Sequence, residues 1–253
     1  MANLWNVLIL RPMLNGLIAL SGILPESVEF GLAIIIFTVI VRLALFPVVA
    51  RQTKSTKALQ ELQPKMKELQ KKYGKNKEKL QQETMKLYKE AGVNPAGCMW
   101  PMLIQFPVWI GLYQSITKAL ATSPDNLLDL AQHLYKSEWI THAIPVNSHF
   151  LWLDLGQPDR TMILAILVGG TMWVQQKMTT APSLDSRQQS SNQMMLMMMP
   201  LMFGMFCIMF PSGLPLFWLV SNLIGIGTQY VVVGGWGYLK RSNGTAVAKP
   251  KTG

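Results

Sequence analysis

Residues Phe30–Ala50 read FGLAIIIFTVIVRLALFPVVA, with Arg42 as their one charge. A helix rises about 1.5 Å per residue, and crossing the roughly 30 Å hydrocarbon layer takes about 20 apolar residues. This stretch meets that requirement. The chain then changes character abruptly, with Arg51, Lys54 and Lys57 following within seven residues.

Four more runs of the same kind lie further on: Cys98–Lys118, Met162–Met178, Met194–Phe210 and Leu214–Gly234. They are continuous rather than alternating, which argues against a strand barrel. Pro211-Ser212-Gly213 makes a tight turn and an antiparallel pair of the last two. The whole composition agrees: half the residues are hydrophobic and 14% are charged, where a soluble domain has about 25% charged. The expected fold is an all-α integral membrane protein with five transmembrane helices. A sixth apolar stretch, Leu4–Leu24, is broken by Arg11-Pro12, Asn15, Gly16 and Gly22 and closed by Pro25. It is expected to lie along the membrane surface as an interfacial helix, with a sixth span or an uncleaved signal-like segment as alternatives.

Charge orders the connecting segments. Arg51–Gly92 has twelve basic and five acidic residues, Ala121–Arg160 two basic and five acidic, and Lys177–Gln193 two basic and one acidic. The tail from Gly237 adds Lys240, Arg241, Lys249 and Lys251. The positive-inside rule puts the basic segments and the C-terminus in the cytoplasm. Five spans then put the N-terminus and segment 119–161 outside, with loop 179–193 and tail 235–253 inside.

Segment 51–92 carries a pattern of its own. Leu59, Leu62, Met66, Leu69 and Tyr73 recur at spacings of three and four, one apolar seam on a helix. Gly74-Lys75-Asn76 breaks it, and Leu80, Thr84, Leu87 and Ala91 form a weaker second seam. The prediction is a cytoplasmic antiparallel helical hairpin, with Pro64 kinking or restarting its first helix near Gln63. Its charge either only fixes topology or makes a docking surface for an anionic partner, lipid headgroups or ribosomal RNA. The docking candidates are Lys65, Lys67, Lys71, Lys72, Lys75, Lys77 and Lys79.

Arg42 is the most informative residue. It lies twelve residues, about 18 Å, from Phe30 and eight residues, about 12 Å, from Ala50. An arginine near mid-span costs about 2.5–3.5 kcal/mol on insertion scales and normally faces protein or water. No span contains an aspartate or glutamate to neutralise it. Polar neutral residues are available instead: Thr38 one turn before it, Gln105 and Gln114, Gln175 and Gln176, and Ser221, Asn222 and Gln229. Together they point to a wet, positively charged cavity among the helices. The fourth span adds MMLMMMPLMFGMFCIM at Met194–Met209, and flexible methionines suit surfaces that accommodate varied apolar partners.

Nothing points to bond-making chemistry. No histidine lies in a span, and no HExxH, P-loop or GxGxxG is present. His133, His142 and His149 sit in the outer segment and read as surface residues. The two cysteines, Cys98 and Cys207, fall near opposite ends of their spans, too far apart to pair. The chain is expected to be no enzyme and to need no cofactor.

The order of motifs resembles the YidC family of membrane protein insertases. The resemblance rests on Thr38–Leu43 followed by Phe46-Pro47, on Gln63-Pro64 and Lys72-Tyr73-Gly74, and on Asn94-Pro95 leading into Cys98–Pro107. Gln176-Lys177-Met178, Phe210–Leu214, Phe217-Trp218 and Ser221-Asn222 extend it over about Trp5 to Tyr230. It implies five spans around a hydrophilic groove that is open to the cytoplasm and to lipid and closed outside. Arg42, Thr38, Gln105, Gln176, Trp218 and Asn222 become candidate groove residues, Gln176 having Gln175 beside it. The implied partners are nascent membrane proteins and the lipid bilayer, with the ribosome and the Sec translocon as further candidates. Specific DNA and small-molecule substrates are not expected. The implied location is the bacterial cytoplasmic membrane. The outer segment Ala121–Arg160 is longer than the resemblance leads one to expect. The rival reading is a small transporter or anion channel that binds its ligand at Arg42, and a membrane anchor that binds nucleic acid through the hairpin is a third.

Overall fold

A computed structural model describes residues 2–25, 28–74, 76–92, 100–120, 124–135, 140, 144–180 and 186–239. Cys98, Lys75 and His142, and the tail beyond residue 239, fall outside them.

The chain begins with α1 (Ala2–Trp5), a π-helical turn (Asn6–Leu10) and α2 (Arg11–Ser21). Then come α3 (Glu29–Glu61), α4 (Gln63–Tyr73) and α5 (Lys77–Glu90). Helix α6 (Trp100–Ala119) is followed by α7 (Pro124–His133) and a small hairpin of β1 (His149–Phe150) and β2 (Leu153–Asp154). The last three long helices are α8 (Ile163–Thr179), α9 (Ser186–Met209) and α10 (Gly213–Val233).

Helices thus occupy all five apolar runs. Three helical stretches, Glu29–Leu59, Gln189–Met209 and Gly213–Val233, are long and apolar enough to cross a membrane. Helix α8, with 17 residues, and α6, with 20, take the remaining two positions. The protein is an all-α membrane protein.

The first long helix does not end where the charges begin. Helix α3 has 33 residues and runs about 50 Å through Arg51, Lys54 and Lys57. A change in polarity does not by itself stop a helix, and α3 continues past Pro47 until just before Pro64. There the prediction holds: Leu62 caps a new helix that starts at Gln63 with the proline in its first turn. Pro47 inside α3 lacks the N–H that would bond the Leu43 carbonyl. Helix α5 starts where Asn76 accepts a hydrogen bond from the Lys79 N–H at 3.1 Å. Helix α10 ends where Gly234 takes φ +82° and its N–H reaches the Tyr230 carbonyl at 3.0 Å.

The core lies at one end of the bundle. Its buried residues include Leu14, Leu17 and Ile18 of α2, Phe30 and Ile34 of α3, Leu112 and Ile116 of α6, and Leu164, Leu214 and Phe217. Phe150, Leu153 and Leu155 of the β-hairpin region complete it. These positions are the first turns of α3, α8 and α10 and the last turns of α6. Helix α2 therefore packs one face into the bundle, and Asn15, a break in its apolar pattern, is a tie. The Asn15 amide donates to the carbonyls of Arg11 and His133, and its oxygen accepts from the Tyr135 N–H at 2.7 Å.

In lipid, helix association draws on close packing and hydrogen bonds rather than on removing apolar surface from water. Both are present. A Cβ on Gly169 would stand 3.3 Å from the Pro200 carbonyl oxygen, and one on Gly204 would stand 3.4 Å from that of Ala165, so small residues let α8 and α9 approach closely. The buried Ser212 hydroxyl donates to the Gln157 carbonyl at 2.6 Å, and the Gly213 N–H donates to Leu155 at 3.1 Å. Asp159 caps α8: its carboxylate accepts from the Leu164 N–H, the Thr161 N–H and the Thr161 hydroxyl, at 2.9, 2.9 and 2.6 Å.

Candidate functional site: a polar cavity around Arg42

The other end of the bundle is not filled. A cavity of about 400 Å³ lies between Arg42–Thr56 of α3, Gln105 near the start of α6, the end of α8, Phe203 of α9 and Trp218–Gln229 of α10. Eleven of its seventeen lining residues are polar: Arg42, Gln52, Thr53, Thr56, Gln105, Gln175, Thr179, Ser221, Asn222, Thr228 and Gln229. Arg42 is the only charged one, and no carboxylate pairs with it among the described residues. The lining thus combines one fixed positive charge with neutral amides and hydroxyls, which can hold water and attract anionic groups.

Of the residues named from sequence, Arg42, Gln105, Trp218 and Asn222 come together on this cavity. Asn222 also ties two helices, its amide donating to the Thr171 hydroxyl at 3.2 Å and the Val168 carbonyl at 3.4 Å. Thr38 lies elsewhere. It is fully buried one turn toward the filled end, and its hydroxyl donates to the Ile34 carbonyl at 2.6 Å. Gln176 also lies off the cavity: its amide nitrogen meets the Met199 sulfur at 3.7 Å, and Gln175 faces the cavity in its place. Successive helical residues point about 100° apart, and the rotation of α8 turns Gln175 to the cavity and Gln176 toward Met199 of α9. Gly225 on α10 leaves the room that the Gln175 amide occupies.

The sequence reading missed Gln52, Thr53, Thr56, Thr179 and Thr228. The first three belong to the basic segment 51–92, and only the continuity of α3 brings them onto the cavity wall. The Ser221 hydroxyl is buried and finds no partner among the described residues.

A second cleft adjoins the first. It has a volume of about 270 Å³ and is lined by Gln105, Phe106, Trp109, Met202, Phe203, Phe206 and Trp218. Gln105, Phe203 and Trp218 line both spaces. The partition therefore consists of one amide and two aromatic rings. Beyond it, Phe106, Met202 and Met205 are exposed on α6 and α9, at 47%, 41% and 60%. The methionine run supplies a flexible apolar surface there.

The basic hairpin folds as α4 against α5. Tyr88 donates to the Met66 sulfur at 3.2 Å, and the Lys72 and Lys79 ammonium groups lie 5.3 and 5.5 Å from the centre of the Tyr73 ring. Lys65, Lys71, Lys72, Lys77 and Lys79 are exposed, and Lys67 is half-buried. At the hairpin's base, Lys57 donates to the Val233 carbonyl at 3.3 Å, placing a cation at the C-terminal end of α10.

Comparison with known proteins agrees with this architecture. Residues 23–235 match the family model described as 60Kd inner membrane protein. The membrane protein insertase YidC of Oceanobacillus iheyensis is 39% identical over 229 residues, which are 87% of this chain and 80% of the relative. Membrane protein insertase YidC 2 of Bacillus anthracis is 36% identical over 236 residues, 91% of this chain and 82% of the relative. The insertase YidC of Haemophilus influenzae is 37% identical over 232 residues, again 91% of this chain but only 38% of that longer relative. With the match running from the end of α2 past the end of α10, and so across every helix that lines the cavity, the chain belongs to the YidC family, that of the 60Kd inner membrane protein.

Proposed function

We propose that the protein is a membrane protein insertase that lowers the barrier for hydrophilic flanks of nascent membrane proteins to enter the bilayer. The observation that carries this reading is the shared wall: a polar cavity with one positive charge meets an apolar cleft across Gln105, Phe203 and Trp218. Moving a polar flank through hydrocarbon strips its hydrogen bonds, at several kcal/mol for each unsatisfied group. A hydrated half-channel that ends at a filled core shortens the dry path. The Arg42 charge attracts acidic groups of the incoming flank. The apolar segment leaves past Trp218 and Phe203 along the Phe106 and methionine surface into lipid. Burial of about 20 apolar residues in lipid drives the transfer, so no covalent step is needed.

In this reading the five long helices are all spans, the cavity opens to the cytoplasm, the N-terminus lies outside and the C-terminus inside. Helix α2 lies at the outer interface. The lysines of α4 and α5 dock an anionic partner, with the ribosome and the Sec translocon as candidates. The filled core at the other end speaks against a transporter, which would need the Arg42 site to open alternately to both sides.

The test is reconstitution of the purified protein in vesicles with a single-span substrate bearing a short acidic tail. Protease protection of the tail should rise severalfold over empty vesicles. Protection no greater than in empty vesicles would refute the insertase reading.

A further inference from the structure

Among the described residues, two that are not glycine hold a positive φ: Leu151 at 56° and Met162 at 59°. This backbone region is rare for bulky side chains and persists only where the surroundings impose it. Both residues are large, apolar and exposed, at 71% and 52%. Both occupy positions where a small polar residue would relieve the strain. Leu151-Trp152 is the two-residue turn between β1 and β2, a turn that favours Asn-Gly or Gly-x. Met162 is the N-cap of α8, a position that favours Ser, Thr, Asp or Asn. The neighbours Trp152 and Ile163 are exposed as well, at 48% and 45%.

The surroundings that impose this backbone are identifiable. Phe150 sits in the space that Gly31 leaves on α3. The Leu155 N–H donates to the Ser148 carbonyl at 2.8 Å, and the Asn147 N–H donates to the Glu29 carboxylate at 2.7 Å. Asp159 holds Thr161 and Leu164 on either side of Met162. The hairpin and the cap loop are therefore fixed at the level of the first turns of α3, α8 and α10, where the apolar helices begin. Met162 and Ile163 continue directly into Ile166 and Leu167 on the exposed face of α8, at 72% and 40%. Tryptophan favours the boundary between headgroups and acyl chains, and Arg160, exposed beside the patch, can meet lipid phosphate.

We propose that Leu151, Trp152, Met162 and Ile163 form an apolar rim that sinks into the headgroup–acyl boundary of the leaflet at the filled end of the bundle. The partner is the lipid surface itself. The rim fixes the depth of the closed end, so that the bundle does not slide along the membrane normal. The proposal needs the chain to reside in a bilayer and is independent of its insertase role. Flotation with vesicles reports the former, and the insertion assay above reports the latter.

The experiment uses the full chain with Cys98→Ala, Cys207→Ala and Trp152→Cys, labelled with a nitrobenzoxadiazole dye. It is reconstituted in phosphatidylethanolamine–phosphatidylglycerol vesicles with brominated acyl chains. Emission should be blue-shifted from that of the free dye, quenching should be stronger for bromines near the headgroup than for deep ones, and aqueous iodide should quench weakly. Adding Leu151→Asp, whose side chain tolerates positive φ better than leucine and so leaves the turn intact, should raise iodide quenching at least twofold. Aqueous emission with no bromine quenching would overturn the proposal, as would a label that does not respond to Leu151→Asp.

Discussion

Trp218 stacks on Trp109 with ring centroids 6.0 Å apart and ring planes 19° from parallel, and the Phe203 ring meets Trp218 edge-on at 5.2 Å. This aromatic group spans α6, α9 and α10 and separates the polar cavity from the apolar cleft. Replacing Trp218 by alanine removes the partition and joins the two spaces. Insertion of a single-span substrate is expected to fall at least threefold with Trp218→Ala and to stay near the starting level with Trp218→Phe. Equal activity in all three proteins would show that the wall has no part in transfer.

Arg42 offers a charge test. Arg42→Lys preserves the charge and should retain most insertion activity. Arg42→Ala should lower the inserted fraction about fivefold or more for a tail with two aspartates, about 1 kcal/mol per fivefold, and far less for a neutral tail. Arg42→Glu should be worst for the acidic tail. The measurement is protease protection across a series with zero, one and two aspartates. A loss independent of tail charge would leave hydration or packing as the residue's role.

Each of the five apolar runs is legible in the sequence because a long apolar helix needs only local composition. The hairpin is legible because Pro64 and Gly74 act on their own neighbours. The cavity wall is less so. Thr38 stands one turn from Arg42 and shares its face in sequence, yet that turn belongs to the filled end, where Thr38 is fully buried and Phe37 packs against Gly16 of α2. The choice between Gln175 and Gln176 depends on the rotation of α8 against α10, which no local pattern encodes. Gln52, Thr53 and Thr56 are hidden by a charge boundary that looks like the end of a helix and is not one. The β-hairpin has two residues per strand, too short to show a period.

The close fit of Phe150 on Gly31 gives a stability prediction. A methyl group at residue 31 would overlap the Phe150 ring. Gly31→Ala is expected to destabilise the protein by about 1–3 kcal/mol through overpacking. Phe150→Ala should cost less when added to Gly31→Ala than it costs alone, because removing the ring also removes the overlap, so the two changes should be strongly non-additive. Thermal unfolding in detergent of the two single variants and the double variant checks this, and additive effects would exclude the contact.

Asp159 links stability to pH. Burial would raise its pKa, but the Thr161 hydroxyl and the Leu164 and Thr161 N–H groups outweigh burial and hold it below the usual carboxylate range. A folded pKa below the unfolded value, about 3.9, means that the carboxylate stabilises the protein fully above that pH and loses its effect as pH falls through the lower, folded value. Asp159→Ala should cost about 1 kcal/mol at pH 7 as a lost cap. The gap between the variant and the parent should shrink below about pH 4. Melting temperatures from pH 7 to pH 3 measure it, and a gap that is constant over this range would assign the cap to geometry alone.

The hairpin is open to a separate test. Deleting residues 60–89 should leave the spans assembled, because the core that holds them lies at the opposite end, while insertion from ribosome-bound chains falls severalfold. Assembly is read by protease resistance of the bundle in detergent and activity by the protection assay. Full activity after deletion would reduce the lysines to a topology signal.

The unbroken α3 has a mechanical consequence. Arg42 and Glu61 are nineteen residues apart on one helix, about 28 Å of stiff rod with no loop to absorb motion. Lys57 pins that rod to the end of α10, which makes the pin a fulcrum. A load that seats on α4 and α5 therefore works as a lever on the cavity wall, and Pro47, with one hydrogen bond missing, is where the lever yields first.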